Sequence, residues 1–344
     1  MADISSELID TEKVSAWIVE RADVEDPLTF ELIAGGRSNM TFTVYDGEIP
    51  KFVLRRPPTG PLLPSAHDMA REYRLMDALS GSHVPVPSMV GLCQDDAVNG
   101  RDFYVMQFVD GIVVRDIDIG SSFSETTRKT MSESLVATLI ALHEVDIDSV
   151  GLGDLAKRTG YIQRQVKRWT GQWQSSRTRD LAIVDAVAEK LMAQMPEPNP
   201  TAIAHGDYRL SNCMVDADGH VVAVLDWELC TLGEPMADLG GLLGYWHDPA
   251  ETDPTGDSET TGLAGFLTQE EIADLYSEGS GVAKDSINYY RAFAQWRLAC
   301  IAEGVYARYL AGQQGDQDED IDLERMNASV GERAERAAQL LGMI

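Results

Sequence analysis

The sequence predicts an α+β protein with two lobes and an active site in the cleft between them. The predicted N-terminal lobe is small and β-rich (residues 1–108), and the predicted C-terminal lobe is larger and mainly helical (residues 109–344). Three observations lead to this division. Strand-like runs fill most of the first 110 residues, helical periodicity dominates after Gly111, and 344 residues are enough for two hydrophobic cores.

In the N-terminal lobe, residues 5–20 alternate polar and apolar at helical spacing. Residues 30–56 then read as strands around a Gly-Gly turn. A helix follows, because apolar residues recur every three or four positions up to Leu79, before Gly81. "VPVPSMVGLCQDD" and "DFYVMQFVDGIVV" resume the strand character. After the leading helix, the predicted order is strand, strand, strand, helix, strand, strand.

In the C-terminal lobe, amphipathic patterns predict helices at 126–146, 160–174, 180–195, from 285 onward and at 323–342. The acidic, Gly-rich segment 248–264 predicts an exposed loop. The acidic residues of this segment are interpreted as solvated, and the alternative is that they line an acidic entrance to the substrate site. These residues are Asp248, Glu251, Asp253 and Asp257. A further helical stripe is typical of core packing, with a substrate cage as the alternative, and comprises Tyr289, Phe293, Trp296 and Cys300.

Composition argues against nucleic acid and anionic membranes as partners. The net charge of −28 disfavours nucleic acid and anionic membranes, and it mildly favours a cationic substrate. The four cysteines form no CxxC pair, which fits buried thiols in a reducing compartment. Without an apolar leader or a run of about 18 apolar residues, the sequence predicts a cytoplasmic protein. The oligomeric state is not predictable from these features.

Residues 205–228, "HGDYRLSNCMVDADGHVVAVLDWE", carry the chemistry. Asp207 precedes Asn212 by five residues, and Asp226 ends an apolar run after a predicted hairpin. Phosphoryl transfer from ATP needs a carboxylate for the accepting hydroxyl and hard oxygen ligands for Mg²⁺. The pattern therefore predicts Asp207 as the catalytic base and Asn212 and Asp226 as metal ligands. The spacing equals that of the kinase loop HRDxxxxN.

This stretch resembles the aminoglycoside phosphotransferase family, a small-molecule branch of the protein-kinase-like fold. Further segments are similar to the subgroup whose relatives are fused to acyl-CoA dehydrogenases: "FVLRRPP", "REYRLMDAL", "FYVMQFVDG", "ALHEVD", "YIQRQVKRW", "GEPMADLG" and "IAEGVYARY". The resemblance covers about residues 28–340. It implies a protein-kinase-like two-lobe fold that binds ATP or GTP with Mg²⁺ and phosphorylates a hydroxyl of a small molecule.

The resemblance also implies roles for other positions. Arg55 stands where a phosphate-binding lysine is usual, and Glu72 would pair with it unless it is a solvated helix acid. Arg209 would meet the γ-phosphate, or it is a surface arginine. His205 would brace the catalytic loop, with proton transfer as the alternative, and Asp238 would hold the same loop through hydrogen bonds. A glycine-rich loop would cover the phosphates, although it could instead be a simple turn; its residues are Gly35, Gly36 and Ser38. The backbone of the hinge between the lobes, at Gln107 and Val109, would contact the base, and Met106 would line the pocket behind it.

An aminoglycoside or another sugar-like hydroxyl is the first substrate that the resemblance implies, and with it a role in antibiotic resistance. A hydroxyacyl-CoA or another metabolite is the alternative. A nucleotide-binding pseudokinase is disfavoured because Asp207, Asn212 and Asp226 are all present. A Ser/Thr protein kinase is disfavoured because "GEPMADLG" follows "LDWE" almost at once and leaves little activation loop.

Overall fold

A computed structural model describes residues 8–33, 39–58, 68–248, 259–312 and 322–344. The N-terminal part is built on a five-stranded antiparallel sheet in the order β1-β2-β3-β5-β4. Its strands are β1 (Thr29–Leu32), β2 (Met40–Asp46), β3 (Ile49–Arg56), β4 (Met89–Cys93) and β5 (Phe103–Gln107). The predicted order of the strands and of the helix after β3 is confirmed, but the sequence analysis missed a short helix, Asp96–Asn99, between β4 and β5.

Side-chain alternation divides this sheet between two cores. Phe52 and Leu54 of β3 pack into a core with α1 (Thr11–Val19), which also lies near the short α3 (Asp96–Asn99). Val53 lies on the opposite face, in the core shared with α2 (Met69–Leu79) and the C-terminal part. Since Arg55 is two positions after Val53, its side chain lies on the same face of the strand, which is the face that meets the C-terminal part.

The C-terminal part is helical, and α10 is its longest described element. Its buried face includes Tyr289, Phe293, Trp296 and Cys300, which confirms the predicted core stripe. The helices are α4 (Ile117–Ser122), α5 (Glu125–His143), α6 (Tyr161–Ser176), α7 (Ala182–Ala193), α8 (Pro235–Tyr245), α9 (Gln269–Ser280), α10 (Ile287–Leu310) and α11 (Leu323–Leu340). In the described part of the chain, no helix is both long and apolar enough to cross a bilayer.

Two small sheets support residues 205–228. One pairs β7 (Ala202–Ala204) with β10 (Thr231–Gly233). The other has the order β6-β8-β9, with β6 at Ile112–Val113, β8 at Cys213–Val215 and β9 at Val221–Val224. The antiparallel pair β8–β9 is the hairpin that the sequence predicts between Asp207 and Asp226.

The predicted exposed loop at 248–264 is wrong at its C-terminal end. Residues Glu259–Gly262 form a 3₁₀ turn in which Thr260 and Thr261 are buried. The Thr261 hydroxyl accepts a hydrogen bond from the His247 amide at 2.7 Å, so this segment packs on the end of α8. Asp248 also has a structural contact, because its carboxylate accepts from the Gln269 amide at 2.6 Å. Glu251, Asp253 and Asp257 lie outside the described residues.

Candidate active site

The loop after β7 carries His205, Gly206 and Asp207 into the cleft. Gly206 has φ +83°, and a Cβ there would lie 2.7 Å from the Leu229 carbonyl oxygen. Only glycine combines this left-handed conformation with so close a neighbour. The sequence "HGD" therefore fixes a sharp turn that directs the Asp207 carboxylate away from β7.

Asp238 of α8 anchors this turn through hydrogen bonds to its backbone. Its carboxylate accepts hydrogen bonds from the backbone amides of His205 (2.6 Å) and Gly206 (2.9 Å), and His143 Nε2 lies 3.4 Å away. Burial alone would raise the pKa of Asp238, but the hydrogen bond and charge of His143, with help from His205 and the Gly206 amide, lower it overall. The buried carboxylate thus stays ionised and holds two backbone donors of the loop.

The His205 side chain ties the same loop to the end of β9. Its Nε2 donates to the Leu225 carbonyl at 2.9 Å, which leaves Nδ1 to accept from the Asp207 amide at 3.3 Å. The ring also packs against Trp227, with centroids 4.8 Å apart. These contacts are those of a bracing residue, as the sequence predicts for His205.

Asn212 lies directly beside Asp207. Its Nδ2 donates to the Asp207 backbone carbonyl at 2.8 Å and to Asp207 Oδ2 at 3.0 Å. Since the amide nitrogen is engaged twice by Asp207, the amide oxygen is turned the other way and is available as a hard ligand. The 3₁₀ turn Leu210–Asn212 sets this geometry at a spacing of five residues.

Asp226 follows β9 and has a left-handed backbone, with φ 63° and ψ 64°. It is the one positive-φ residue other than glycine in the described part of the chain. Aspartate tolerates this region better than most residues, but a cost of about 1 kcal/mol is typical. A strained carboxylate at the end of a strand is a signature of a functional position rather than of a solvated turn.

Arg55 joins the two lobes at this point. Its Nη2 donates to Asp226 Oδ1 at 2.8 Å, and its Nε lies 3.3 Å from Glu72 Oε2. The Nε–Glu72 contact is an ion-pair distance without hydrogen-bond alignment, so this buried N–H has no hydrogen-bond partner among the described residues. Burial opposes the charged form of Arg55, but Tyr104, Glu72 and Asp226 together raise its pKa, so the guanidinium is cationic.

Glu72 is held on its other sides as well. Its Oε1 accepts from Asn39 Nδ2 at 3.2 Å, and its Oε2 accepts from the Tyr104 hydroxyl at 3.0 Å. Burial raises the pKa of Glu72, and the charge of Arg55 acts in the opposite direction. The pairing of Arg55 with Glu72 that the sequence predicts is confirmed, and the alternative of a solvated helix acid is wrong because Glu72 is 2% exposed.

Sequence reasoning missed two residues of this region. Glu228, two positions after Asp226, is half-buried beside it, and burial together with Asp226 raises the pKa of Glu228 to about 7. Arg297 of α10 is buried and its Nη2 donates to the Gly206 carbonyl at 2.9 Å. "DWE" contained a signal for Glu228, whereas Arg297 lies 91 residues from its partner and nothing local indicates it.

Arg209 lies against the loop that carries Asp207 rather than on an open surface. Its Nε is 3.4 Å from Asp207 Oδ2, and its guanidinium stacks over the Tyr245 ring at 4.8 Å. In the hinge, the Gln107 amide already donates to the Ser88 carbonyl at 2.8 Å, Met106 is buried, and Val109 is half-buried. Gly35, Gly36 and Ser38, which the sequence assigns to the phosphate loop, lie outside the described residues.

The residues present fit a magnesium-bound nucleotide. Asp226 and Asn212 offer carboxylate and amide oxygens, the donors that Mg²⁺ prefers. The unsatisfied Arg55 Nε is a buried cationic donor of the kind that binds phosphate oxygens. No group of three or more His, Cys, Asp or Glu side chains in metal-binding proximity occurs among the described residues, as expected where phosphate oxygens and water complete the shell.

Residues 29–268 match the phosphotransferase enzyme family. Human acyl-CoA dehydrogenase family member 11 is 34% identical over 301 residues, which is 86% of this chain. The chain spans only 38% of the length of that relative. The crystal structure of a candidate aminoglycoside phosphotransferase from Ralstonia eutropha has a TM-score of 0.83 and 32% identity, covering 97% of this chain and 98% of that one.

More distant solved structures have the same fold at low identity. The GDP complex of aminoglycoside 2'-phosphotransferase-IIIa has a TM-score of 0.64 and 13% identity over 95% of this chain and 99% of that one. Aminoglycoside phosphotransferase APH(4)-Ia with AMP-PNP and hygromycin B has a TM-score of 0.59 and 15% identity, covering 96% and 98%. The predicted fold, a β-sheet N-terminal part and a helical C-terminal part of the protein-kinase-like class, is confirmed.

Proposed function

The chain belongs to the phosphotransferase enzyme family, and we propose that it transfers the γ-phosphoryl group of ATP or GTP to a hydroxyl of a small molecule. The observation that carries this proposal is the convergence of Asp207, Asn212, Asp226 and Arg55 in one cleft. A solvated turn would not need a buried anchor such as Asp238, a positive-φ aspartate and an inter-lobe ion pair.

Asp207 is the residue that we assign to the acceptor. Its carboxylate is held by Asn212 and Arg209 on one side and by the braced backbone on the other. A carboxylate fixed in this way orients the accepting hydroxyl and takes its proton as the new O–P bond forms. Because the transition state is loose, such positioning supplies most of what the protein contributes.

Asn212 and Asp226 would hold Mg²⁺, which when bound neutralises charge on the β- and γ-phosphates. Arg55 would bind phosphate oxygens through its Nε and terminal nitrogens, with Glu72 keeping the guanidinium in place. At the hinge, the Gln107 amide is committed to Ser88. The adenine or guanine contact therefore falls to the Gln107 carbonyl and the Val109 amide. Gly35, Gly36 and Ser38 would cover the phosphates.

Two classes of acceptor follow from the relatives. The aminoglycoside phosphotransferases of similar fold favour a sugar-like hydroxyl. Similarity to acyl-CoA dehydrogenase family member 11 favours a hydroxyacyl compound that a dehydrogenase would then process. The four free, buried cysteines suit a reducing compartment such as the cytoplasm, where either acceptor would be met.

The experiment is a panel of aminoglycosides, sugars, hydroxy acids and hydroxyacyl-CoAs, each with ATP or GTP and Mg²⁺. Formation of ADP or GDP is measured, and the phosphorylated product is identified by mass. We expect one class to raise nucleotide consumption well above the rate without acceptor. Nucleotide binding with no transfer to any member would instead favour a pseudokinase, and no nucleotide binding would contradict the proposal altogether.

A further inference from the structure

A small cavity borders the loop that follows Asp207. Arg209, whose Nε is 3.4 Å from Asp207, forms one wall, together with Ser211 of the catalytic loop. Tyr245 of α8 and the buried Thr260 and Thr261 form another wall. Arg55, Met106 and Asp226 take no part in the lining, whereas Arg209, for which the resemblance implies a γ-phosphate contact, does. The cavity therefore lies next to the loop of Asp207 and apart from Arg55, Met106 and Asp226.

The charged side chains that line this cavity are both arginines, Arg115 and Arg209. Arg115 follows β6, which pairs with β8 of the catalytic hairpin, so the sheet brings it to the cavity. Arg115 is exposed and makes no hydrogen bond or ion pair with any described residue. In a chain with a net charge of −28, a lining that has two cations and, among the described residues, no carboxylate favours an anionic ligand at this point.

Two buried arginines, Arg297 and Arg333, add their charges near the Tyr245 wall of the cavity. Burial and Asp207 raise the pKa of Tyr245 to about 12, while Arg209, Arg297 and Arg333 act against this rise. Arg297 and Arg333 are buried, at 8% and 7% exposure, so their charges are poorly screened by solvent. Tyr245 itself stays protonated at neutral pH and, with the hydroxyls of Ser211, Thr260 and Thr261, can donate hydrogen bonds to an anion.

We propose that this cavity binds a carboxylate of the acceptor between Arg115 and Arg209, so that the molecule phosphorylated is a short hydroxy acid. Its volume of about 30 Å³ has room for a carboxylate-sized group. Arginine is the side chain best suited to a bidentate grip on a carboxylate. An amino sugar is a cation and would be repelled by Arg115. The cavity therefore favours an anionic acceptor, whereas the net charge of the whole chain mildly favours a cationic one.

This inference rests on the proposed function and narrows its acceptor. With the carboxylate in the cavity, a hydroxyl a few bonds away would reach Asp207. The hydroxyl oxygen then bonds to the γ-phosphorus, the bond from that phosphorus to the bridging oxygen breaks, and the proton passes to Asp207. ADP or GDP leaves with the electron pair of the broken bond, so the product is a phospho-hydroxy acid.

The test uses the full chain with Mg²⁺ and either ATP for turnover or AMP-PNP for calorimetry. The probes are unbranched hydroxy acids of three to six carbons, the amide of each acid, and kanamycin. We expect at least one acid to show a kcat/KM about tenfold or more above that of its amide, because a charge-assisted hydrogen bond is lost in the amide. Arg115→Gln should remove this difference. Lys167→Gln, an exposed cation on α6 outside the cavity, should preserve it.

Several outcomes would overturn the inference. One is an acid and its amide reacting equally well, or kanamycin reacting best. Another is an acid preference that survives Arg115→Gln. If AMP-PNP binds with Mg²⁺ but no acid of the series binds or reacts, the anion site is also wrong. Failure of the proposed function looks different, because the nucleotide itself would then not bind or no acceptor of any class would be phosphorylated.

Discussion

Arg55 Nη2 lies 2.8 Å from Asp226 Oδ1, so a cation of the N-terminal sheet is bonded directly to the carboxylate at the end of β9. The pair joins a strand of one lobe to the strained turn of the other across 171 residues of sequence. Arg55 also reaches Glu72 of α2. One guanidinium thus fixes a strand, a helix and the candidate metal loop relative to one another.

Arg55→Met should weaken both stability and nucleotide binding. It leaves Glu72, which is 2% exposed, as a buried acid without its cation, and loss of one partner of such a pair costs about 3 kcal/mol. Urea unfolding measures the stability loss, and calorimetry should show an AMP-PNP Kd raised at least about tenfold. Lys51→Met on the same strand serves as the matched control. Equal effects of both substitutions would contradict the role of Arg55.

Asp226→Ala should weaken magnesium-dependent nucleotide binding. The carboxylate is the best hard ligand at the end of β9, and its removal leaves Asn212 as the remaining assigned ligand. AMP-PNP affinity is measured by calorimetry with Mg²⁺ and with EDTA. In the wild type, Mg²⁺ should increase the affinity for AMP-PNP strongly. In Asp226→Ala, we expect this increase in affinity to be at least about tenfold smaller. An unchanged gain would rule out Asp226 as a metal ligand.

Gly206→Ala should displace the loop that carries Asp207. The left-handed φ of +83° strains any side chain, and the added Cβ would meet the Leu229 carbonyl oxygen at 2.7 Å. Gly47→Ala is the matched control, because Gly47 has φ +62° but open space around its Cβ position. Both variants should lose about 1 kcal/mol of stability to backbone strain. Only Gly206→Ala should also lower kcat strongly, with AMP-PNP affinity retained.

Asp238→Asn should loosen the same loop and change the acid sensitivity of the fold. An asparagine cannot accept from the His205 and Gly206 amides with both side-chain atoms, so we expect a loss of about 1–3 kcal/mol at pH 7. The folded pKa of Asp238 lies below 3.8, so its stabilising effect is present above about pH 4 and is lost as the pH falls through the folded pKa. Unfolding measured from pH 6 to pH 3 should show the gap between wild type and Asp238→Asn narrowing at the acid end. A constant gap would contradict the ionised state of Asp238.

Local spacing predicted much of this site because its chemistry is local. Asp207 and Asn212 are joined by one turn, and a short hairpin joins Asn212 to Asp226. All three residues can therefore be identified within 24 residues of sequence. Arg55 and Glu72 needed the resemblance, since nothing in either segment indicates a partner. Arg297 and the buried Thr260 and Thr261 were missed, because tertiary packing of α8, α10 and a Gly-rich segment decides their positions. The cavity charge was missed for the same reason, since net charge averages over the surface.

The most direct test of the account is the turnover of Asp207→Asn. Asparagine keeps the shape and the capacity to accept from Asn212 Nδ2, but it cannot take the proton of the accepting hydroxyl. With the best acceptor of the panel, we predict a kcat about 10²- to 10⁴-fold below wild type and an AMP-PNP affinity within about threefold of it. A kcat close to that of the wild type would contradict the assignment of Asp207 and, with it, the proposed phosphoryl transfer in this cleft.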